Sequence, residues 1–178
     1  MSDFLQVSAE VAEALERGRP VVALETSIVG QGLPAPHNLE AALGCEAVIR
    51  DEGAVPATIG VLDGCVRVGL TRADIERIAA GSEKVSSRDL GPALVHQKAG
   101  ATTVAATMRA AWMAGIRFIA TGGIGGVHRG AAKTDDVSAD LTALARFPVA
   151  VVCSGAKAIL DLPRTLERLE TQIGRAHV

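Results

Sequence analysis

The chain has 178 residues, a formal net charge of −2 and 48% hydrophobic residues, enough for one domain with a real core. Without a basic excess, and with only 2% aromatic residues and no Tyr, neither a phosphate-tracking surface nor a base-stacking platform is expected, which excludes a nucleic acid partner. No apolar run approaches the roughly 18 residues of a membrane span, and Met1-Ser2-Asp3-Phe4 lacks a signal-peptide pattern, so no membrane partner and a cytoplasmic location are expected. Cys45, Cys65 and Cys153 are odd in number and far apart. They read as reduced, buried thiols rather than a disulfide framework or a zinc site.

In chain order, Val7, Val11, Ala14 and Leu15 recur at helical spacing, and Gly18 follows as a C-cap. Residues 20–24 form a run of strand length. A Gly/Pro-rich loop over 26–37 follows, and Asn38 reads as the N-cap of a helix over 39–50. Residues 56–62 read as a strand, with Asp63-Gly64 as a hairpin turn returning along 65–68. Thr71 caps a helix to Ala79, closed by Gly81. Residues 88–97 and 102–114 read as helices, the second stopped by Gly115. Residues 116–120 and 149–153 are short β-rich runs, and 163–172 is helical. Strands alternating with helices give an α/β class with no internal repeat or dividing linker.

The chemistry concentrates after residues 116–120. There Thr121-Gly122-Gly123-Ile124-Gly125-Gly126-Val127-His128-Arg129-Gly130 presents a glycine-dense turn, suited to holding an anion such as phosphate on bare N–H groups. It departs from the dinucleotide fingerprint, because aligned from Gly123 the sixth position is His128. His128 itself fits either acid–base work or a structural hydrogen bond. Asp135, Asp136 and Asp140 follow, oxygen ligands suited to Mg²⁺ or Mn²⁺, or else acids capping a helix. Glu25 ends the first predicted strand, where α/β sheets place their sites, though a solvated loop acid would look the same. Lys84 is either a phosphate-binding cation or a surface lysine. Lys157, after 149–153 and Ser154-Gly155-Ala156, is expected to be partly desolvated and so free to act as a nucleophile.

At these residues the chain resembles the pseudouridine-5′-phosphate glycosidase (pseudouridylate synthase) family. The likeness runs through Ala23-Leu24-Glu25-Thr26, Pro34-Ala35-Pro36-His37-Asn38, Val55-Pro56-Ala57-Thr58-Ile59 and Gly100-Ala101-Thr102-Thr103-Val104-Ala105-Ala106-Thr107-Met108. It continues through 121–130, 138–141 and Gly155-Ala156-Lys157-Ala158-Ile159-Leu160-Asp161. The resemblance implies a layered α/β/α fold with a central sheet, a homotrimer and Mn²⁺. It also implies reversible cleavage of the C–C glycosidic bond of pseudouridine 5′-phosphate to uracil and ribose 5-phosphate through a lysine imine. On this resemblance Glu25 is the proton donor and Lys157 the nucleophile. Lys84, Val104, Ser138, Ala139 and Asp140 contact substrate, and Asp136 holds the metal.

The chain departs from the family where Ser87 replaces Arg, Ala132 replaces Glu and Asp135 replaces Phe, which leaves Asp135, Asp136 and Asp140 as competing metal ligands. Members of the family run well beyond Gln172. Residues 1–172 are therefore expected to be the N-terminal part of the domain, with a sheet incomplete at the C-terminus and an insoluble or molten chain. Residues 173–178 break the helical pattern, resemble a translated sequencing adapter, and are expected to be an artefactual tail. The rival readings are a Schiff-base aldolase acting on sugar phosphates and an inactive fragment that binds phosphorylated ligands.

Overall fold

The computed structural model of the chain describes residues 4–173, so residues 174–178 of the expected tail lie outside the described residues. The fold is built around β3 (Val55–Leu62), whose eight residues are all buried. Alternate residues of a strand face opposite sides. Val55, Ala57, Ile59 and Val61 join one apolar cluster with α1 (Ala9–Glu16), α4 (Leu90–His96), α5 (Val104–Ala114) and α7 (Ala139–Arg146). Leu62 joins a second cluster with α2 (His37–Asp51), α3 (Arg72–Ala80) and a π-helical turn over Ile28–Gly32. Gly60 faces α3 so closely that a Cβ there would stand 2.5 Å from Ile78 Cδ1. Cover on both faces is why this run reads as continuously apolar.

The main path of the sheet runs β1 (Leu5–Val7), β4 (Cys65–Val68), β3, β2 (Val21–Leu24), β7 (Phe118–Thr121), β8 (Ala150–Cys153). β3, β2, β7 and β8 are parallel, and β4 returns antiparallel from the hairpin. In that turn Asp63 and Gly64 take φ of 51° and 74°, the conformation that Asp-Gly accepts readily. β5 (Glu83–Val85) lies parallel to β6 (Gly100–Thr102). The remaining helices are α6 (Ala131–Thr134) and α8 (Leu162–Ile173). The layered α/β architecture is the expected one.

β3 changes partner halfway. β2 pairs with it from Val21↔Val55 to Leu24↔Thr58, and β6 then takes over at Gly60↔Ala101 and Val61↔Gly100. Three buried hydroxyls fill the handover. Thr26 Oγ1 and Thr102 Oγ1 both donate to Ile59 O, at 2.8 and 2.7 Å. Thr102 N–H donates to Thr26 Oγ1 at 2.9 Å, and Thr107 Oγ1 donates to Thr102 Oγ1 at 2.9 Å.

Several local expectations change. Val7 lies in β1, paired with Val68, rather than in the first helix. Asn38 does not cap its helix: Pro36 holds that position. Asn38 is buried instead, and its Nδ2 donates to Val29 O at 3.0 Å, pinning the π-helical turn inside the presumed loop. β5 and β6 replace stretches read as loop and helix start, so α5 begins at Val104. None of the cysteines is fully buried, and Cys45 is exposed. At the other end of the sheet, β8 has no outer neighbour among the described residues, and Phe118 and Val152 are 54% and 65% exposed on the face that no helix covers.

Replacing Thr102 by Val leaves Ile59 O one donor short and Thr107 without its acceptor. A loss of about 1–3 kcal/mol in urea-induced unfolding, with unchanged m, is expected, and Thr102→Ser should recover most of it. The Arg50 hydrogen bond, which ties α2 to α1, holds the Glu10 carboxyl below the ordinary glutamate value. A lowered folded value gives stability that is present above the ordinary value and lost as pH falls through the folded one. Glu10→Gln should therefore flatten the acid limb of the stability–pH curve, and only slightly, because the pair is half exposed.

Candidate active site

Because β2, β7 and β8 are adjacent and parallel, the residues after them gather along one edge of the sheet, the usual place for a site in such sheets. Glu25 directly follows β2 and Thr121 ends β7. With Leu24 paired to Ala120, the two stand side by side. Thr121 Oγ1 donates to Glu25 Oε1, and Ser27 Oγ donates to Oε2. Glu25 is thus a half-buried carboxylate held at both oxygens. Neither hydroxyl stood out in the sequence, although Ser27 lies only two residues away.

Lys157 follows β8 and is pinned to the glycine loop through its backbone. Ile124 N–H donates to Gly155 O at 3.0 Å, and Lys157 N–H donates back to Ile124 O at 3.1 Å. A Cβ on Gly123 would come within 3.3 Å of Lys157 Cγ and of Gly155 O. The bare backbone at 123 therefore gives the lysine stem room. Lys157 itself is exposed, not the partly desolvated amine expected from its neighbours. Arg129 secures the segment beyond it, donating to Leu160 O at 3.4 Å and Ala158 O at 3.2 Å.

The glycine loop spends several of its N–H groups within the protein, which leaves fewer of them for the anion cradle expected of it. Gly125 N–H goes to Asp140 Oδ2 at 2.8 Å, Val127 N–H to Thr165 Oγ1 at 3.0 Å and His128 N–H to Asp136 O at 3.0 Å. Asp140 also accepts from Ala105 N–H at 2.8 Å through its other oxygen. It is buried and committed to two backbone donors, so its carboxylate is a clamp and a poor candidate for the metal. Ser138 caps α7, accepting from Asp140 N–H at 3.2 Å, and Ala139 opens that helix at the surface.

Asp135 and Asp136 are exposed. Asp135 holds a φ of 53° at the end of α6, whereas Asp136 stands 3.8 Å from His128 Nδ1. Among the described residues no three His, Cys, Asp or Glu side chains converge on a common point. Asp136 can supply one carboxylate arm to a divalent cation, but these residues do not build a closed cage.

The start of α5 is a second candidate seat for an anion. Val104 is the first residue of that helix, at the positive end of its dipole, where Asp140 already takes the N–H of Ala105. The preceding Thr103 is buried, and its Oγ1 has no hydrogen-bond partner. Thr103 N–H donates to Val85 O at 2.9 Å, and Lys84 pairs with Ala101 in register, so β5 brings exposed Lys84 beside this helix end. Sequence reasoning named Lys84 and Val104 but missed Thr103. The only available signal was a threonine at an N-cap position.

Residues 10–174 match the model of the indigoidine synthase A like protein family. The chain is 60% identical over 172 residues to a pseudouridine-5′-phosphate glycosidase of Chloroflexus aurantiacus, covering 95% of this chain and 56% of the relative. It is 57% identical over 170 residues to the Myxococcus xanthus protein of the same name, covering 94% and 56%. Among solved structures it superposes on the prealnumycin C-glycosynthase AlnA in complex with ribulose 5-phosphate with a TM-score of 0.88 and 46% identity, covering 97% of this chain and 56% of that one. An indigoidine synthase A-like protein of Thermotoga maritima gives 0.85 and 34%, covering 95% and 55%. The chain spans about half the length of the curated relatives it matches.

Gly125 and Gly122 separate the clamp from mere flexibility. A Cβ at Gly125 would fall 2.7 Å from Ser138 Cβ and 2.9 Å from Asp140 Oδ2, whereas one at Gly122 meets nothing within 4 Å. Gly125→Ala should cost about 1–3 kcal/mol by overpacking, and Gly122→Ala should be near neutral, both read from denaturant melts.

Proposed function

The chain belongs to the indigoidine synthase A like family, and from that premise we propose that it carries the reversible cleavage of pseudouridine 5′-phosphate to uracil and ribose 5-phosphate. The observation that carries this reading is that a hydroxyl-held carboxylate, Glu25, and the loop that bears Lys157 follow the parallel strands β2 and β8 on either side of β7, at the same edge of the sheet. A C-glycoside offers no leaving oxygen or nitrogen between sugar and base, so two carboxylates alone do not suffice. An amine does. Lys157 Nζ attacks C1′ and displaces the ring oxygen, which takes a proton. The nitrogen lone pair then expels C5 of uracil, leaving an imine at C1′, and C5 is protonated. Water hydrolyses the imine to ribose 5-phosphate and frees the lysine. Glu25 is the group assigned to move these protons.

The substrate phosphate is assigned to the start of α5, with Val104 N–H, the Thr103 hydroxyl and Lys84 around it. Ser138, Ala139 and Asp140 are assigned to contact the substrate, with Asp140 acting through the backbone it holds. Mn²⁺ is assigned to Asp136, with water and substrate oxygens supplying its other ligands, as hard divalent ions accept. The ion would offset negative charge near the phosphate. The working protein is proposed to be a cytoplasmic homotrimer. Relatives bearing the glycosidase name at 60% and 57% identity, and a solved relative holding ribulose 5-phosphate, support this reading.

Uracil release from pseudouridine 5′-phosphate tests it, with the chain assayed alone and joined to the remaining residues of the Chloroflexus aurantiacus relative. Uracil release also separates this reaction from a Schiff-base aldolase, which borohydride trapping cannot. Lys157→Ala should abolish turnover, and Lys157→Arg should fail equally, because a guanidinium keeps the charge but forms no imine. Substantial turnover in the Arg variant would overturn the nucleophile. Asp136→Ala should weaken Mn²⁺ dependence more than Asp135→Ala, and the reverse order at saturating metal would move the ligand by one residue.

A further inference from the structure

Two carboxylates of the candidate site occupy seats of opposite kinds. Asp140 is buried, and its two oxygens accept from the backbone N–H groups of Ala105 and Gly125, both at 2.8 Å. An N–H only donates, so this seat fits a carboxylate and would set an acid proton against an N–H. Glu25 is half-buried, and its oxygens accept from hydroxyls instead, Oε1 from Thr121 and Oε2 from Ser27. Both hydroxyls are placed from outside the pair. Thr121 ends β7, pairs with Cys153 of β8, and accepts at Oγ1 from Gly123 N–H at 3.4 Å. Ser27 precedes the π-helical turn, where Val29 and Gly30 N–H groups donate to Thr26 O at 3.0 Å and Asn38 Nδ2 holds Val29 O.

A hydroxyl has one hydrogen and two lone pairs, and it turns about its Cβ–Oγ bond to present either. A carboxylate only accepts, whereas a carboxylic acid also donates. We infer that Thr121 and Ser27 are positioning residues of the proposed reaction, keeping Glu25 in one orientation through both of its protonation states. The inference rests on the assignment of Glu25 as the group that moves protons. In that role Glu25 takes up one proton and later gives one back, and no other bond to it changes. As a carboxylate it receives a hydrogen bond from each hydroxyl. Protonated at Oε1, it donates to Thr121 Oγ1, which has turned to accept, while Ser27 still donates to Oε2. The two Thr121 lone pairs then serve Glu25 and Gly123 N–H, and the Thr121 hydrogen turns to water or a substrate oxygen. Protonation at Oε2 uses Ser27 in the same way. A carboxyl seated only on N–H donors would lose a contact each time it was protonated, and its orientation with it.

Glutamine mimics the protonated acid, because its amide carries a donor and an acceptor, so the seat can be tested in the chain without turnover. In urea-induced unfolding Glu25→Gln should leave the midpoint unchanged. Asp140→Asn, which sets an N–H against an N–H, should raise the unfolding constant more than about tenfold. Thr121→Val should raise it about fivefold both in the parent and in the Glu25→Gln background, and Thr121→Ser should restore it in both. If the cost of Thr121→Val vanishes in the Glu25→Gln background, the hydroxyl serves the carboxylate alone and the inference is overturned. Uracil release from pseudouridine 5′-phosphate separates the inference from the reaction it rests on. Thr121→Val and Ser27→Ala should each lower kcat at least about tenfold with KM within about twofold, and Thr121→Ser and Ser27→Thr should recover most of the loss. Release by the parent with kcat unchanged in both variants overturns the inference and leaves the reaction standing. No release by the parent, with the Thr121→Val cost equal in both backgrounds, overturns the reaction and upholds the seat. A chain that melts without cooperativity holds no such seat and refutes the inference equally.

Discussion

A single buried carboxylate ties the candidate site together. Asp140 sits where two helices begin and where the glycine loop passes, and it accepts one N–H from Ala105 and one from Gly125. An unpaired acid in such a place would cost several kcal/mol. Here two backbone donors and the positive ends of α5 and α7 offset that cost. The consequence is geometric. The loop after β7, the start of α5 and the start of α7 cannot shift separately, and Glu25, Val104 and Ser138 therefore keep fixed relations without touching one another. The Thr165 hydroxyl, which accepts from Val127 N–H at 3.0 Å, extends the same restraint to α8.

The threonine cluster does for the sheet what Asp140 does for its edge. Where β2 leaves β3, Ile59 O would remain partly unsatisfied inside the core. Thr26 and Thr102 supply donors there, and β6 arrives on the same hydrogen bonds. Thr26 adjoins Glu25, and Thr102 lies two residues before Val104. The proposed proton-transfer group and the proposed phosphate seat thus hang from one buried carbonyl.

Much of this was legible in the sequence, for physical reasons. β2 and β3 are apolar runs of the right length, Asp63-Gly64 accepts the turn's positive φ values, and Thr71 forms a reciprocal cap with Asp74. Glu25, the loop and Lys157 could be placed because each follows a predicted strand. What was not legible depends on partners distant in sequence. β1, β5 and β6 are three residues long, too short for periodicity to register, and exist only because a neighbour pairs with them. Asp140 looked like a metal ligand or helix cap because its two donors lie 35 and 15 residues away. The glycine loop looked like an open anion cradle because nothing local reveals that the N–H groups of Gly125, Val127 and His128 are already used. Asn38 looked like a cap because its partner, Val29 O, belongs to a turn that the sequence does not announce.

The uneven cover of the sheet also sets how the molecule breathes. β3 is sealed on both faces and flanked by strands on both sides, so its amides can exchange with solvent only when the whole domain opens. Among the described residues β8 is paired on one side only, by β7. The loop carrying Lys157 follows that strand, whereas Glu25 follows β2, which is flanked by β3 and β7. Among the described residues the two halves of the proposed reaction centre therefore hang from strands with different numbers of neighbours. Glu25 is held through the sheet and the hydroxyls of Thr121 and Ser27, and Lys157 through the backbone bonds that join its segment to the glycine loop.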